Sequence, residues 1–246
     1  MAVKRKVVAL GGAGGIGRAL VARLLAQGDE VCVIDLPASL ERHKPPCAAI
    51  PVDLHDEASV LAAASSLKAL WGGMDCFVNL AGYNGLTVPL AETETSYFDD
   101  VLSGNLRGTF LAAKAFLPLL DGPAPAVVHV TSGLGSYIRP NFGSYAAAKA
   151  GVIALTKTLA LEWAPRVRVN AVGPGAVDTA FLRGGTGRSD ETANGGADFG
   201  PYIASIPLKR LAEPADVVGP ILFLLGPDAA YMTGQVLWIN GGAYMP

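Results

Sequence analysis

Residues 10–17 read Leu-Gly-Gly-Ala-Gly-Gly-Ile-Gly and join a short apolar run at 6–10 to a helical pattern at 16–26. In that strand–turn–helix setting, residues without a Cβ let the backbone approach a pyrophosphate. The start of the helix then offers free N–H groups and the positive end of its dipole. Two glycine registers fit, Gly12-x-Gly14-x-x-Gly17 and Gly11-x-x-x-Gly15-x-Gly17. In this setting either one reads as the dinucleotide-binding turn of an α/β protein, with a glycine-rich turn that holds no ligand as the other reading.

The rest of the sequence repeats the alternation. Apolar runs at 30–35, 48–53, 75–80, 126–132, 167–172 and 235–240 read as strands, and 57–71, 96–120, 143–164 and 213–225 as helices. This predicts a single-domain Rossmann fold, a doubly wound and mostly parallel seven-stranded sheet with helices on both faces. The strands are apolar throughout rather than alternating, as a sheet covered on both sides requires. No repeat or linker divides the chain, so residues 1–246 read as one unit. Residues 183–200, RGGTGRSDETANGGADFG, are polar and glycine-rich. They read either as a mobile substrate lid, spanning about 180–206, or as a tolerated surface insertion.

Composition excludes several function classes. The formal net charge is −2 with no Lys/Arg block, which leaves no electrostatic footprint for nucleic acid. No apolar run approaches the length of a membrane span, and the first residues lack a signal-peptide core. The expected location is cytoplasmic. Cys32, Cys47 and Cys76 are odd in number and form no CxxC, and His43, His55 and His129 join no metal-spaced cluster. Neither a disulfide framework nor a catalytic metal is expected. Charged residues make up only 16% of the chain, which suggests apolar surface committed to subunit contacts.

Asp35 ends the second strand 18 residues after Gly17, where an acid bonds a ribose 2′-hydroxyl and repels a 2′-phosphate. Leu36, Pro37 and Gly14 bring no positive charge, so NAD is favoured over NADP; Arg42 is the nearest basic residue. Asp53-Leu54 closes the third strand. An acid there can meet an adenine amino group, and a helix-capping role for Asp53 or Asp56 stands beside that reading.

Tyr145-Ala-Ala-Ala-Lys149 sets two titratable groups on one helix face. Free tyrosine titrates near ~10, and a neighbouring ammonium favours the phenolate. Ser132, thirteen residues before Tyr145, ends a buried strand at the edge where open α/β sheets bind ligands.

With these residues in view, the sequence resembles the classical short-chain dehydrogenase/reductase family over essentially its whole length. The resemblance is carried by Gly11/Gly15/Gly17, Asn79-Leu80-Ala81-Gly82, Asn105, Ser132, Tyr145, Lys149, Pro174-Gly175 and Thr179. The ending Thr233-Gly234-Gln235-Val236 and Asn240-Gly241-Gly242 adds to it. It selects the Gly11/Gly15/Gly17 register. It implies that Tyr145 is the general acid/base and that Lys149 lowers its pKa and holds the nicotinamide ribose. Ser132 would bond the substrate oxygen, and Asn105 would anchor a water in a proton relay. It also implies that Gly14, Ile16 and the turn glycines lie along the pyrophosphate. Asp53 and Leu54 would flank adenine, Asn79, Ala81 and Gly82 would line the cleft, and Val177 and Thr179 would meet the carboxamide. Two departures stand out. The family usually has threonine at Leu10 and asparagine at Leu80, and an apolar contact between these strand ends would replace a polar pair.

The substrate side is less specified. Leu134, Tyr137, Phe142, Phe181 and Tyr202 are candidate pocket walls, Asn84 and Ser136 candidate hydrogen-bonding groups, and Arg183 and Arg188 candidate grips for an acidic group. The leading expectation is an NAD-dependent interconversion of a secondary alcohol and a ketone. The alternatives are a 3-oxoacyl thioester reductase and a non-catalytic NAD-binding sensor or scaffold. The resemblance also implies a homo-oligomer, commonly a tetramer, through the helices at 96–120 and 143–164 and through the C-terminal strand.

Overall fold

A computed structural model of the chain describes residues 4–185, 187, 189 and 198–245. Strands β1 (Lys6–Leu10), β2 (Glu30–Asp35), β3 (Ala48–Pro51), β4 (Cys76–Asn79), β5 (Ala126–Val130), β6 (Arg168–Pro174) and β7 (Val236–Ile239) form one sheet. All six pairings are parallel, in the order β3-β2-β1-β4-β5-β6-β7. The chain winds outward from β1 to β3, then returns to the other side of β1 to lay down β4. Ligands of such sheets bind at that reversal, beyond the carboxyl ends of the strands.

Helices cover both faces. They are α1 (Gly15–Ala26), α2 (Pro37–His43), α3 (Glu57–Trp71), α4 (Thr95–Leu102), α5 (Gly108–Phe116), α6 (Gly143–Trp163), α7 (Gly200–Ser205) and α8 (Pro214–Leu225). One core joins Leu20, Val21 and Leu24 of α1 to Val217, Ile221 and Leu224 of α8 across Val7, Val33, Val78 and Val128. The other joins Val60 and Leu67 of α3 to Leu111 and Phe116 of α5 across Val8, Ile34, Phe77 and Val127. Successive strand residues feed opposite cores, which is why the strands carry no polar alternation.

The same parity corrects the expectation for Leu10 and Leu80. Leu10 enters the α3/α5 core beside Asn79, its register partner, whereas Leu80 packs against the α1/α8 core. The two side chains lie on opposite faces of the sheet, and no direct exchange of a polar pair joins them.

The long helix expected at 96–120 is interrupted. Between α4 and α5 the backbone makes a π-helical turn over Ser103–Arg107, and a 3-10 turn follows at Leu117–Leu119. Asn105 lies inside the π-helical turn, and its Nδ2 donates to Val101 O, four residues back, at 2.9 Å, and to Tyr83 O at 2.9 Å. Asp56 is the residue that caps α3, accepting from Ala58 N at 2.9 Å. The short helices α2 and α7 carry no sequence pattern long enough to have been read.

Candidate active site

The amino end of α1 opens onto a cleft at the reversal of strand order. Its cap residue, Gly14, supplies no side-chain acceptor, and Gly11, Gly14, Gly15, Ile16 and Gly17 line the cleft. First-turn N–H groups without intrahelical partners, at the positive end of the helix dipole, suit a pyrophosphate. Gly12 faces away, a Cβ there lying 2.8 Å from Ala9 O and 3.0 Å from Val33 Cγ1. The structure therefore agrees with the Gly11/Gly15/Gly17 register. A Cβ on Gly15 would stand 2.6 Å from Thr179 Cγ2, so the segment after β6 closes directly over the start of the helix.

Around this turn, Asp35, Leu36, Asp53, Leu54, Ala81, Gly82, Pro174, Gly175, Val177 and Thr179 also face the cleft. Asp35 accepts from Ala13 N at 2.9 Å and from Leu36 N at 2.8 Å. These bonds fix the orientation of the carboxylate at the end of β2. Asp53 accepts from His55 N at 2.9 Å while Asp56 does the capping. Asn79 is buried behind the wall. It accepts from Ala81 N at 3.0 Å and donates to Thr109 Oγ1 at 3.2 Å, so it shapes the cleft without lining it. Together these residues fit a dinucleotide: an uncapped helix end for phosphate, and a fixed carboxylate for ribose.

Across the cleft, β5 and α6 supply the reacting groups. Tyr145, Lys149 and Ser132 line it, with Tyr145 and Lys149 buried. Lys149 Nζ donates to Val130 O at 3.2 Å and lies 5.6 Å from the centre of the Tyr145 ring. Thr131 Oγ1 donates to Lys149 O at 2.9 Å, tying α6 to β5 at this level. Gly82 packs against Lys149 and Asn105. Its φ is +154°, and a Cβ there would lie 2.6 Å from Asn105 Oδ1 and 2.8 Å from Lys149 Nζ. Asn105 is buried just behind the cleft lining, and its side chain is held by Tyr83 N and O.

Burial governs the titration here. It pushes Lys149 down to about 8, and it raises the Tyr145 phenol well above its ordinary value, an effect that a hydrogen bond with Ser132 partly opposes. Of these two effects on the phenol, removal from water is the larger. Beneath Lys149, His129 is fully buried and held neutral, pushed down to about 4 by burial and by the nearby Lys149 charge. Thr156 donates to Val152 O, so His129 Nδ1 carries the hydrogen given to Thr156 Oγ1 at 3.0 Å.

Of the expected substrate wall, only Phe181 reaches the main cleft, its ring 6.1 Å from that of Tyr145. Tyr202 lines a smaller adjoining pocket with Gly175 and Ala176. Tyr137 stacks on Tyr244 at 5.3 Å, and Phe142 precedes the first turn of α6. Asn84 and Leu134 are half-buried outside the cleft lining, and Ser136 is exposed. Arg183 is paired with Asp178 at 2.5 Å, which removes it as a free grip. Arg188 and residues 190–197 of the expected lid lie outside the described residues. Sequence reasoning missed Arg18, His55 and Tyr83, which all line the cleft. Arg18 sits one residue beyond the glycine motif on α1 and contacts His43 of α2, a short helix the sequence pattern does not reveal. Tyr83 directly follows the Asn79–Gly82 segment and donates to Asp100 O at 2.7 Å, so its adjacency to that motif was the available signal.

The chain is similar to known proteins over nearly its whole length. A family model described as enoyl-(acyl carrier protein) reductase matches residues 11–244. A short-chain type dehydrogenase/reductase of Sinorhizobium fredii is 35% identical over 97% of this chain, which spans 43% of that longer protein. Levodione reductase of Leifsonia aquatica is 34% identical, with 97% of this chain and 93% of the reductase covered. The crystal structure of a 3-ketoacyl-(acyl-carrier-protein) reductase from Brucella melitensis complexed with NADH superposes with a TM-score of 0.87 at 28% identity, covering 98% of each chain. No described helix is long and apolar enough to cross a membrane. The chain belongs to the classical short-chain dehydrogenase/reductase family, whose members are oxidoreductases that bind a nicotinamide cofactor.

Proposed function

We propose that this protein is an NAD-dependent oxidoreductase that interconverts a secondary alcohol and a ketone. The observation that carries the reading is the convergence of Tyr145, Ser132 and Lys149 on one wall of the cleft, opposite an uncapped helix end. Bound nicotinamide dinucleotide would supply the hydride acceptor or donor. The N–H groups at the start of α1 hold its phosphates, Asp35 accepts from the adenosine ribose, and Lys149 donates to the nicotinamide ribose. Asp53 and Leu54 flank adenine, and Val177 and Thr179 bond the carboxamide. Ser132 donates to the substrate oxygen and fixes it beside Tyr145. The Tyr145 hydroxyl, whose protonated form burial favours, gives that oxygen a proton in reduction, and in oxidation the Tyr145 phenolate takes the proton of the alcohol. Asn105, locked behind Gly82, anchors the inner end of the proton path.

Asp35 carries the preference for NAD, since its carboxylate repels a 2′-phosphate. The Brucella relative favours a second reading, a 3-oxoacyl thioester as the substrate. Residues 1–246 act as one dinucleotide-binding and catalytic unit in a cytoplasmic homotetramer. Exposed Phe110 on α5 and Leu161 on α6, at 49% and 83% of their surface, support the oligomer. Light scattering in solution measures its mass.

The test of function is NADH appearance over a panel of secondary alcohols, repeated with NADP and with Tyr145→Phe. Turnover with NAD, little with NADP and none in the variant supports the reading. Equal turnover with NADP refutes the role of Asp35. Activity confined to 3-oxoacyl thioesters favours the second reading, and full turnover by Tyr145→Phe refutes the mechanism.

A further inference from the structure

We propose that Arg139 binds an oxyanion of the substrate, so that the alcohol or ketone used here carries a carboxylate or equivalent anionic group remote from its reacting carbon. The inference rests on the oxidoreductase reading above and deepens it.

Two separate segments hold Arg139. The first is its own loop. After Ser132 the chain turns through Gly133–Gly135 and reaches Tyr137, whose ring lies 5.3 Å from that of Tyr244 at an interplanar angle of 4°. Tyr244 in turn lies against Gly133, where a Cβ would stand 2.9 Å from the ring. The second is α7. Tyr202 reaches back to Gly175, its hydroxyl 3.7 Å from where a Cβ on that glycine would be, and Gly175 lines the cleft. Arg139 Cζ lies 5.6 Å from the centre of the Tyr137 ring and 5.4 Å from that of Tyr202. The guanidinium is thus held between a ring of the loop that follows Ser132 and a ring of α7 that lines the pocket adjoining the cleft.

Three other basic residues are committed elsewhere. Arg183 is paired with Asp178, Arg210 with Asp216, and Lys209 Nζ donates to Ala204 O. Among the described residues Arg139 has ring contacts with Tyr137 and Tyr202 and no ion pair or hydrogen bond. A planar guanidinium is weakly hydrated, stacks on aromatic faces, and keeps its N–H fork at the edge for bidentate binding of a planar anion. Ring contacts from two segments restrict the side chain before any ligand arrives, which lowers the ordering cost of that binding. A neutral substrate gains none of this, and a lysine would offer a point charge without the fork.

The experiment uses NADH and a series of methyl-ketone carboxylic acids of increasing chain length, each beside its methyl ester, with the full-length protein and its Arg139→Gln and Arg139→Lys variants. The expected result is a kcat/KM ratio of acid to ester of about tenfold or more, peaking at one chain length. That ratio falls towards one in Arg139→Gln and is partly kept in Arg139→Lys. An unchanged ratio in Arg139→Gln overturns the inference. Calorimetric titration of the same acids into NAD-loaded protein separates this inference from the catalytic reading. Weaker acid binding by Arg139→Gln supports the oxyanion site even if neither acid nor ester is turned over, in which case the proposed reaction fails. Equal binding by wild type and variant, without turnover, removes both.

Discussion

Replacing Lys149 with methionine should make the protein more stable at neutral pH while abolishing turnover. Lys149 is 4% exposed, and burial pushes its pKa from the usual 10.5 to about 8. Each unit of that depression corresponds to about 1.36 kcal/mol, so keeping the ammonium charged inside the fold costs about 3 kcal/mol at pH 7. Methionine has a similar length and no charge. It forfeits the hydrogen bond to Val130 O, worth about 1 kcal/mol, which leaves a net gain of about 2 kcal/mol. The sign with pH follows from proton counting. Between pH 8 and 10.5 the native lysine is neutral while the unfolded one is charged, so the unfolded chain binds more protons and wild-type stability rises with pH. Wild type should therefore recover about 2 kcal/mol on the variant between roughly pH 7 and 9.5, where the two become equal. Urea denaturation of both proteins at a series of pH values, at one fixed protein concentration, reads the difference directly. A variant less stable than wild type at pH 7, or a difference constant across the range, would refute the view that Lys149 is a strained buried cation.

Two further predictions rest on the same packing. His129 is pushed down from 6.5 to about 4, so the native state resists protonation and stability falls as pH drops from 6.5 towards 4; His129→Asn should remove about 2 kcal/mol of the loss between roughly pH 7 and 5, and parallel denaturation curves for the two proteins would contradict it. Gly82→Ala should cost about 1–3 kcal/mol and lower turnover more than stability, because the new methyl group strikes Asn105 and Lys149 together; near-normal kinetics and denaturation in that variant would show that the crowding around Gly82 has no catalytic consequence.

The alternation of apolar runs and helical periods determined the fold. A parallel sheet needs strands apolar on both faces and a crossover helix between neighbours, and both signals are local. The glycine turn, Asp35, Ser132 and the Tyr145/Lys149 pair were legible for the same reason: each depends on residue type at a short, fixed spacing beside a strand end. What tertiary structure decided was set by residues far apart in sequence. Within the π turn the Asn105 side chain is held by Tyr83, twenty-two positions earlier. Arg183 is taken by Asp178, Leu10 and Leu80 fall on opposite faces, and Tyr137 leaves the cleft to stack on Tyr244. The spacing Tyr145-x-x-x-Lys149 makes the two side chains neighbours, and the fold buries both, which raises the phenol and lowers the ammonium. Spacing along a helix fixes which side chains are neighbours; how much water each keeps is set only when the rest of the chain has packed around them.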